Sequence, residues 1–479
     1  MRRISFVAAL VISLFAPAAR ATGFQLITSP DDSGAFASGV SADGQVVVGQ
    51  IQTVDGKVTA FRYTLAGGLM DLGDLPGGID YASASAASAD GSVIVGVAST
   101  TSTVNPNGEA LVAFRWTSQS GLVALADLAG GTETAFASSV SADGSRIVGA
   151  SYAAADDYEA AIWDGAAKPT SLGTFASSMP QSTAYGVSAN GKVIVGRSPS
   201  ETGNAAEAGA FRWTAPLGLV GLGDLPGGAA YASAYGVSGD GLVVVGSSSS
   251  SNSGPNEVEA FRYTEGAGMQ GLGALSSVLF GSDALATNGD GSVVVGRSYI
   301  DADGNEEAFY WTASTGIQRL ADVAAAAGIN LGVATLRQAT SVSADGLVVV
   351  GIAQGTKSTA AFRLDLTGST GPGSTSSSSS TGSSTSSGIG GSESSGTGSS
   401  ASTSTTTGTG SSASAGNGGA GGSTSSAGNG GASSTGTDSS DPATSADCNC
   451  RVGATDASSG AGAWLAAATA LIAARRRRR

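Results

Sequence analysis

The sequence predicts an all-β fold, a seven-bladed β-propeller of four-stranded antiparallel blades, followed by a disordered stalk. Three observations support this prediction. A unit recurs every 47 to 55 residues between positions 23 and 365, each unit holds four short β-like segments, and the number of segments fits a closed ring. Blades that pack radially bury the faces that a single four-stranded sheet leaves exposed.

Each unit begins with a tight turn that leads into a strand of Val and Ile. In the first unit, Asp43 and Gly44 precede three valines and a second glycine, Gly49. Asp-Gly between two β segments is the strongest short hairpin pattern, because glycine takes positive φ without a Cβ clash. The turn glycines of the seven units are Gly44, Gly91, Gly144, Gly191, Gly241, Gly291 and Gly346.

The other segments of a unit are an aromatic strand, a Leu-rich strand and a strand of small residues. The aromatic strand, Ala-Phe-Arg-Tyr-Thr at residues 60–64, recurs seven times. The Leu-rich segment, Gly-Leu-x-x-Leu-Gly-Asp-Leu at residues 68–75, recurs six times, and its last copy includes Leu320. The small-residue strand, as at residues 231–237, completes the unit.

The strand count predicts how the chain closes. The last aromatic strand, residues 361–365, has no Leu-rich successor, whereas residues 24–27 form an extra β-like segment before the first turn. We therefore expect the N-terminal strand to complete the last blade. The alternative is an open β-solenoid, which would need dedicated capping units.

The N-terminus has the pattern of a secretory signal peptide, residues 1–21. Arg2 and Arg3 precede an apolar run, and cleavage is expected after Ala21. The alternative, a membrane-anchoring helix, would need about 20 apolar residues. The remaining boundaries are the propeller at 22–366, a Ser/Thr/Gly-rich linker at 367–446 that cannot bury enough apolar surface to fold, and a C-terminal tail at 447–479.

The C-terminal tail predicts anchoring at the cell surface. Cys448 and Cys450 precede a short apolar stretch and five terminal arginines, which would stay on the cytoplasmic side of a membrane. This order resembles the myxobacterial C-terminal sorting signal. The resemblance implies a sorting protease that removes the helix, and attachment through one of the two cysteines to an envelope lipid or membrane anchor, in the outer membrane. The alternatives are a C-x-C disulfide or a metal site.

The repeats resemble the HAF family of extracellular repeat proteins. The shared elements are the Ala-Phe-Arg-Trp-Thr strand, the Leu-Gly-Asp-Leu-Pro-Gly-Gly segment and the Ser-Ala-Asp-Gly-x-Val-Val-Val-Gly hairpin. The family's His-Ala-Phe histidine is missing here. The resemblance implies an extracellular repeat scaffold and no established reaction.

Composition excludes several kinds of chemistry. The 479 residues include no histidine, which removes Ser-His-Asp catalysis and imidazole metal ligation. The net charge is -14, and residues 22–450 hold 14 basic and 36 acidic side chains, a net of -22. This acidity argues against nucleic acid as a partner, because duplex binding depends on Lys and Arg.

Candidate chemistry lies in the loops and turns. Asp301, Asp303 and Asn305 resemble a fragment of a calcium loop, although the full 12-residue pattern is absent. The turn aspartates form either a carboxylate ring or local turn caps, and the latter is the default role of Asp before Gly. Arg62, Arg115 and Arg212, each 12 residues before an Asp, predict repeated Arg–carboxylate pairs.

These observations predict an exported, surface-anchored β-propeller that binds an unknown surface or matrix ligand without catalysis. Two alternatives remain. One is a secreted polysaccharide-active enzyme that uses Asp and Glu, although no sequence pattern selects a pair among the loop acids, which include Asp156, Asp157 and Glu159. The other is a calcium-dependent binding module.

Overall fold

The computed structural model describes residues 23–31, 33–102, 108–154, 157–165, 168–175, 181–199, 208–253, 257–277, 280–301, 303–355 and 357–367. The described part contains 28 strands and one short helix. The predicted signal peptide, most of the linker and the C-terminal tail, with Ala21, Cys448 and Cys450, lie outside it.

The strands follow one another with few other elements between them. The first half contains β1 (Gly23–Ile27), β2 (Ala35–Val40), β3 (Val47–Gln52), β4 (Val58–Thr64), β5 (Gly68–Asp71), β6 (Gly77–Ala87), β7 (Val93–Thr101), β8 (Glu109–Thr117), β9 (Gly121–Ala124), β10 (Ala135–Val140), β11 (Arg146–Ala154), β12 (Asp157–Asp164) and β13 (Thr170–Ser171). The second half contains β14 (Thr183–Val187), β15 (Ile194–Pro199), β16 (Ala208–Thr214), β17 (Gly218–Gly221), β18 (Gly227–Val237), β19 (Val243–Ser250), β20 (Glu259–Thr264), β21 (Gly268–Gly273), β22 (Ser282–Thr287), β23 (Val293–Tyr299), β24 (Glu306–Thr312), β25 (Gly316–Arg319), α1 (Leu320–Ala326), β26 (Thr335–Val342), β27 (Val348–Gln354) and β28 (Thr359–Asp365).

These strands form four-stranded antiparallel blades. Five sheets have four strands each, and in four of them the strands lie in chain order, as in β14-β15-β16-β17. A sixth sheet has eight strands and consists of two meanders, β2–β5 and β6–β9. A single parallel bridge between Val58 and Tyr81 joins the two meanders. This all-β arrangement of meandering blades is that of a β-propeller.

The N-terminal strand lies in the last sheet, whose order is β1-β28-β27-β26. Phe24 pairs with Leu364 and Ile27 pairs with Ala361 in an antiparallel ladder. The expected pairing of residues 24–27 with residues 361–365 is confirmed. The chain ends of the folded region are therefore held together by backbone hydrogen bonds.

The Leu-rich segments are only partly strands. The outer strands β5, β9 and β17 end before the Leu-Gly-Asp-Leu residues, and positive φ at Gly73 turns the chain away from the sheet. Leu72 and Leu75 then pack in a core with Ile94 and Phe114 of the following blade. In the last copy, Leu320 begins α1 rather than continuing a strand, and it is fully buried.

The core lies between neighbouring blades. Phe61, Phe114, Phe211, Phe261, Phe309 and Phe362 occupy the same place in the aromatic strands and are fully buried. One cluster joins the first and last blades, since Ile27, Val350 and Ala361 pack with Val47 and Phe61. Trp163 is fully buried, whereas Trp213 and Trp311 are half-buried at the edges of their clusters.

Candidate functional site: a central cavity

A cavity of about 320 Å³ is lined by residues of β2, β6, β10, β14, β18, β22 and β26, together with Val97 of β7. We call the first seven of these the inner strands. A cavity of this volume lies at the lower end of the range for small-molecule sites. The cavity is the concave site that the fold offers, and the repeats place equivalent positions around it.

Backbone bulges decide which side chains line the cavity. Each inner strand has a register shift against its neighbour, as between Ala37 and Gly39. A bulge leaves one residue outside the ladder and re-aims its side chain. The bulge residues, all of which line the cavity, are Ser38, Ser85, Ser138, Tyr185, Tyr235, Leu285 and Thr340.

The second glycine of each repeat makes these bulges possible. A Cβ on Gly49 would lie 2.0 Å from the carbonyl oxygen of Phe36, and a Cβ on Gly149 would lie 1.8 Å from that of Phe136. Only glycine permits this approach of two backbones. The sequence shows the recurring glycine but not the bulge opposite it. The sequence analysis therefore did not identify the residues that line the cavity.

Tyrosines give the cavity its chemical character. Tyr81, Tyr185 and Tyr235 all line it, and the rings of Tyr185 and Tyr235 have centroids 5.5 Å apart. Burial raises the pKa of Tyr81 and of Tyr185 to about 12, and it raises the pKa of Tyr235 well above its ordinary value of 10.0. These phenols are therefore neutral near pH 7 and can donate hydrogen bonds to a ligand.

Arg197 packs against this tyrosine group. Its guanidinium carbon lies 5.2 Å from the centre of the Tyr231 ring, within cation–π range. The phenols of Tyr185 and Tyr235 lie within electrostatic range of the same guanidinium. Arg197 follows the repeat glycine Gly196, at a position that differs from one unit to the next.

A second arginine, at the corresponding position two units later, is enclosed by acids. Arg297 Nε donates to Asp283 Oδ2 at 2.9 Å, and its Nη1 donates to Glu306 Oε2 at 3.1 Å. Gln338, which lines the cavity, donates to Glu306 Oε1 at 2.5 Å. The positive charge of Arg297 is thereby paired within the protein by two carboxylates, those of Asp283 and Glu306.

The turn aspartates act as local caps. In all seven turns the Asp or Asn side chain accepts a hydrogen bond from the backbone N–H two residues later, at Asp43, Asp90, Asp143, Asn190, Asp240, Asp290 and Asp345. In six of them a buried serine hydroxyl, such as that of Ser141, donates to the same oxygen. Hydrogen bonds from the Ser141 hydroxyl and from Ser145 lower the pKa of Asp143 to about 2.

The proposed calcium ligands lie in the hairpin between β23 and β24. Asp301 Oδ1 accepts the backbone N–H groups of Asp303 and Asn305 at 3.0 and 3.1 Å, and Asn305 Nδ2 donates to Asp301 Oδ2 at 2.8 Å. These bonds lower the pKa of Asp301. Calcium binding there stays a prediction. In the other acidic loop, Asp156 lies outside the described residues, and Glu159 accepts the hydroxyl of Ser171.

The predicted Arg–Asp pairing is wrong for Arg62 and Asp74. The Asp74 carboxylate instead accepts the backbone N–H groups of Leu75 at 2.7 Å and Tyr81 at 3.1 Å, where the chain turns into the next blade. Within the described residues, no ion pair joins Arg62 to Asp74. The offset of 12 residues reflects the repeat and not a contact.

The side chain at this arginine position joins neighbouring blades in three units. It donates to the carbonyl oxygen of the turn glycine in the following unit. In the last unit, the side chain donates to the turn glycine of the first unit. The bonds are Arg262 Nε to Gly291 at 3.1 Å, Tyr310 Oη to Gly346 at 3.2 Å, and Arg363 Nε to Gly44 at 3.2 Å.

Several solved structures are similar to this chain. The putative TolB from Agrobacterium tumefaciens is 13% identical over 62% of this chain and 93% of its own, with a TM-score of 0.37. TolB from Acinetobacter baumannii is 13% identical over 68% and 81%, with a TM-score of 0.36. The β-propeller domain of the Trilobed protease from Pyrococcus furiosus is 11% identical over 69% and 96%, with a TM-score of 0.44.

These TM-scores are below 0.5, so the resemblances carry no conclusion about activity. No family model and no curated protein matches the chain. Among the residues that the structure describes, no helix has the length and apolar character of a membrane span.

Proposed function

We propose that this protein is an exported, surface-anchored, seven-bladed β-propeller that binds a ligand in its central cavity without catalysis. The observation that carries the proposal is the cavity itself. Every inner strand contributes to it, and bulges place aromatic rings and hydroxyl groups, such as those of Tyr185, Tyr235 and Ser138, on its wall. Such a mixture suits recognition of an organic ligand.

Hydrogen bonds between successive turns support closure of seven blades into a ring. The backbone N–H of Ala89 donates to the carbonyl of Ala142, and Ala142 donates to Ala189, both at 3.0 Å. Ala344, in the last unit, donates to Ala42, in the first unit, at 3.0 Å. An open solenoid would place these two units at opposite ends.

The cavity favours binding over hydrolysis by paired acids. Among the described residues that line it, none is Asp or Glu. Asp283 and Glu306, which lie behind the wall, are both held by Arg297. A glycosidase needs one carboxyl group with a raised pKa and a second one within about 10 Å across the substrate.

Ligand binding is tested with a variant in which a bulky side chain fills the cavity. The full exported chain is presented to immobilised polysaccharides and matrix proteins, beside Ser85→Trp, which fills the cavity, and Ser120→Trp, which adds the same ring at an exposed loop. We expect retention that Ser85→Trp abolishes and Ser120→Trp leaves intact. Retention that is equal in both variants would place binding elsewhere.

Catalysis is tested on the same preparation with a panel of polysaccharides. We expect no turnover. Turnover that a single acidic substitution such as Glu306→Gln abolishes would overturn the non-enzymatic proposal in favour of a secreted enzyme.

The proposed anchoring depends on the sequence of the tail. Cys448 and Cys450 precede the apolar stretch and the arginine cluster, and the HAF-like repeats fit an extracellular scaffold. We expect wild-type protein to be released from intact cells only by protease. The Cys448→Ser, Cys450→Ser double variant should be found in the medium, and unchanged cell retention of that variant would contradict anchoring through cysteine.

A further inference from the structure

The bulge residues divide the wall of the cavity into two unlike halves. The inner strands contact one another in chain order, and β26 contacts β2. On β2, β6 and β10 the lining includes four serines, Ser38, Ser83, Ser85 and Ser138, which we call the serine wall. On β14, β18 and β22 the bulge residues are Tyr185, Tyr235 and Leu285, which we call the aromatic wall. In the ring of seven blades proposed above, these two walls face each other.

The fold does not use the hydroxyl groups of the serine wall. Ser83 is 6% exposed and lines the cavity, and among the described residues its hydroxyl has no hydrogen-bond partner. By contrast, Ser182 and Ser298, which are buried away from the cavity, donate to backbone carbonyl oxygens at 2.7 and 2.9 Å. A nearly buried hydroxyl without a partner costs free energy. A ligand that exchanges hydrogen bonds with the serine wall would remove this cost.

The aromatic wall offers the rings of two tyrosines. The centroids of the Tyr185 and Tyr235 rings lie 5.5 Å apart, with an angle of 58° between the ring planes. Ser247, which does not line the cavity, donates to Tyr235 Oη at 3.4 Å, so this phenol oxygen already has a partner in the protein. The aromatic ring is therefore the part of Tyr235 that remains for a ligand.

The two walls together match the two kinds of surface on a sugar. A pyranose has an apolar C–H face that packs on an aromatic ring. It also has hydroxyl groups, which can donate to and accept from serine hydroxyls. A volume of about 320 Å³ suits one or two such rings rather than a longer chain.

The lining of the cavity favours a ligand without charge. Among the described residues that line it, none is Asp, Glu, Lys or Arg. A carboxylate or an ammonium group placed there would lose its hydration without gaining a counter-charge.

We propose that the cavity binds an uncharged saccharide of one or two rings. The serine wall is the hydrogen-bond partner of its hydroxyl groups, and the aromatic wall packs on its C–H face. This inference rests on the proposed function, because it names the ligand class of the same cavity. It assigns Ser83, Ser85 and Tyr235 as residues that determine specificity.

The test measures binding to the full exported chain by titration calorimetry. The neutral probes are disaccharides of glucose, galactose, mannose and N-acetylglucosamine, and the acidic probes are disaccharides of galacturonate and glucuronate. We expect a neutral disaccharide to bind about tenfold or more tightly than either acidic one, because the acidic probes would bury an unpaired carboxylate. Added salt should leave the neutral affinity unchanged.

Serine variants test the hydrogen-bonding half of the cavity. The Ser83→Ala, Ser85→Ala double variant should weaken neutral binding about tenfold, the effect of losing two neutral hydrogen bonds. Ser233→Ala is the matched control, since Ser233 pairs with Ser247 as Ser83 pairs with Val97. The Ser233 hydroxyl is also buried without a partner, but it does not line the cavity, so this variant should keep the wild-type affinity.

Tyrosine variants test the aromatic half. Tyr235→Phe keeps the ring and should bind within about twofold of wild type, whereas Tyr235→Leu removes the ring and should weaken neutral binding about fivefold or more. If Tyr235→Leu does not fold, Tyr185→Leu takes its place.

The outcomes separate this inference from the proposed function. Equal binding of neutral and acidic disaccharides would overturn the inference and leave cavity binding intact. Neutral affinity that is unchanged in the double serine variant, or that falls equally in Ser233→Ala, or that is unchanged in the leucine variant would do the same. Binding of matrix protein but of no saccharide, with loss in the Ser85→Trp variant, would also overturn the ligand class alone. Failure of the Ser85→Trp test would overturn the proposed function itself.

Discussion

At the residue scale, the repeated Ser-x-Asp-Gly turn shows how a short pattern sets local structure. Ser141 is buried; its hydroxyl donates to Asp143 Oδ1 at 2.6 Å and accepts the backbone N–H of Arg146 at 3.0 Å. Asp143 in turn accepts the N–H of Ser145 at 3.0 Å. The fourth unit performs the same function with Asn190, so the turn needs an acceptor oxygen more than a charge.

This turn predicts a pH-dependent difference between Asp143 and an asparagine. The pKa of Asp143 is lowered from 3.8 to about 2, so its contribution to stability is complete above pH 4 and is lost as pH falls towards 2. We expect wild type to be more stable than Asp143→Asn at pH 5, and the difference to vanish near pH 2. Thermal unfolding midpoints across this range measure it.

The Asp143→Ala variant is the control, because it removes the acceptor as well as the charge. It should be less stable than Asp143→Asn at every pH. A difference between wild type and Asp143→Asn that stays constant from pH 5 to pH 2 would contradict the assignment.

At the element scale, the pairing of a glycine with a bulge shapes every blade. Ala234 pairs with Gly246, and the register shifts before Gly236, which leaves Tyr235 as the bulge residue on the cavity. A Cβ on Gly246 would lie 1.9 Å from the carbonyl oxygen of Ser233. The element that carries the candidate site therefore depends on the absence of one side chain on its neighbour.

Gly246→Ala should destabilise the fold by about 1–3 kcal/mol, because either the backbone or the bulge must move. Gly266 is the matched control, since it is exposed, its φ is not positive and a Cβ there would meet no atom within 4 Å. Gly266→Ala should stay within about 1 kcal/mol of wild type. Denaturant unfolding of the full chain measures both, and equal stabilities would contradict the bulge argument.

At the scale of the whole molecule, β1 holds the two ends of the folded chain together. Ile27 is 3% exposed and packs with Val47, Val348 and Ala361, whereas its neighbour Leu26 is 39% exposed. Arg363 adds a bond to Gly44 of the first unit and pairs with Asp365, both side chains being fully buried. The first and last units are thereby joined through backbone pairing, apolar packing and a polar contact.

Ile27→Asp should destabilise the protein by about 3 kcal/mol or more, since it places an uncompensated charge between the first and last blades. Leu26→Asp introduces the same charge one residue away, on the exposed face of the same strand, and should be tolerated. Thermal unfolding compares the two. Similar melting temperatures would show that β1 does not hold the ends of the fold together.

The sequence by itself determined the repeat unit, the positive-φ turn glycines and the strand that completes the last sheet. Each of these features depends on residues close in sequence or on the number of strands, so the sequence pattern is sufficient to predict it. The spacing of Arg62 and Asp74 led to the wrong prediction of an ion pair, because a recurring offset in sequence does not determine the direction of a side chain. A recurring leucine likewise did not distinguish a strand from α1 at Leu320.

Only the tertiary structure decided where a ligand can bind. The cavity is made from positions spread from Ser38 to Ser341, and bulges choose which of them face it. Whether a cation is neutralised also depends on distant partners: Arg297 meets Asp283 and Glu306, while Arg197 meets tyrosines. Contacts between strands that are far apart in the chain fix both outcomes, because burial and pairing are properties of the assembled blades and not of any one repeat.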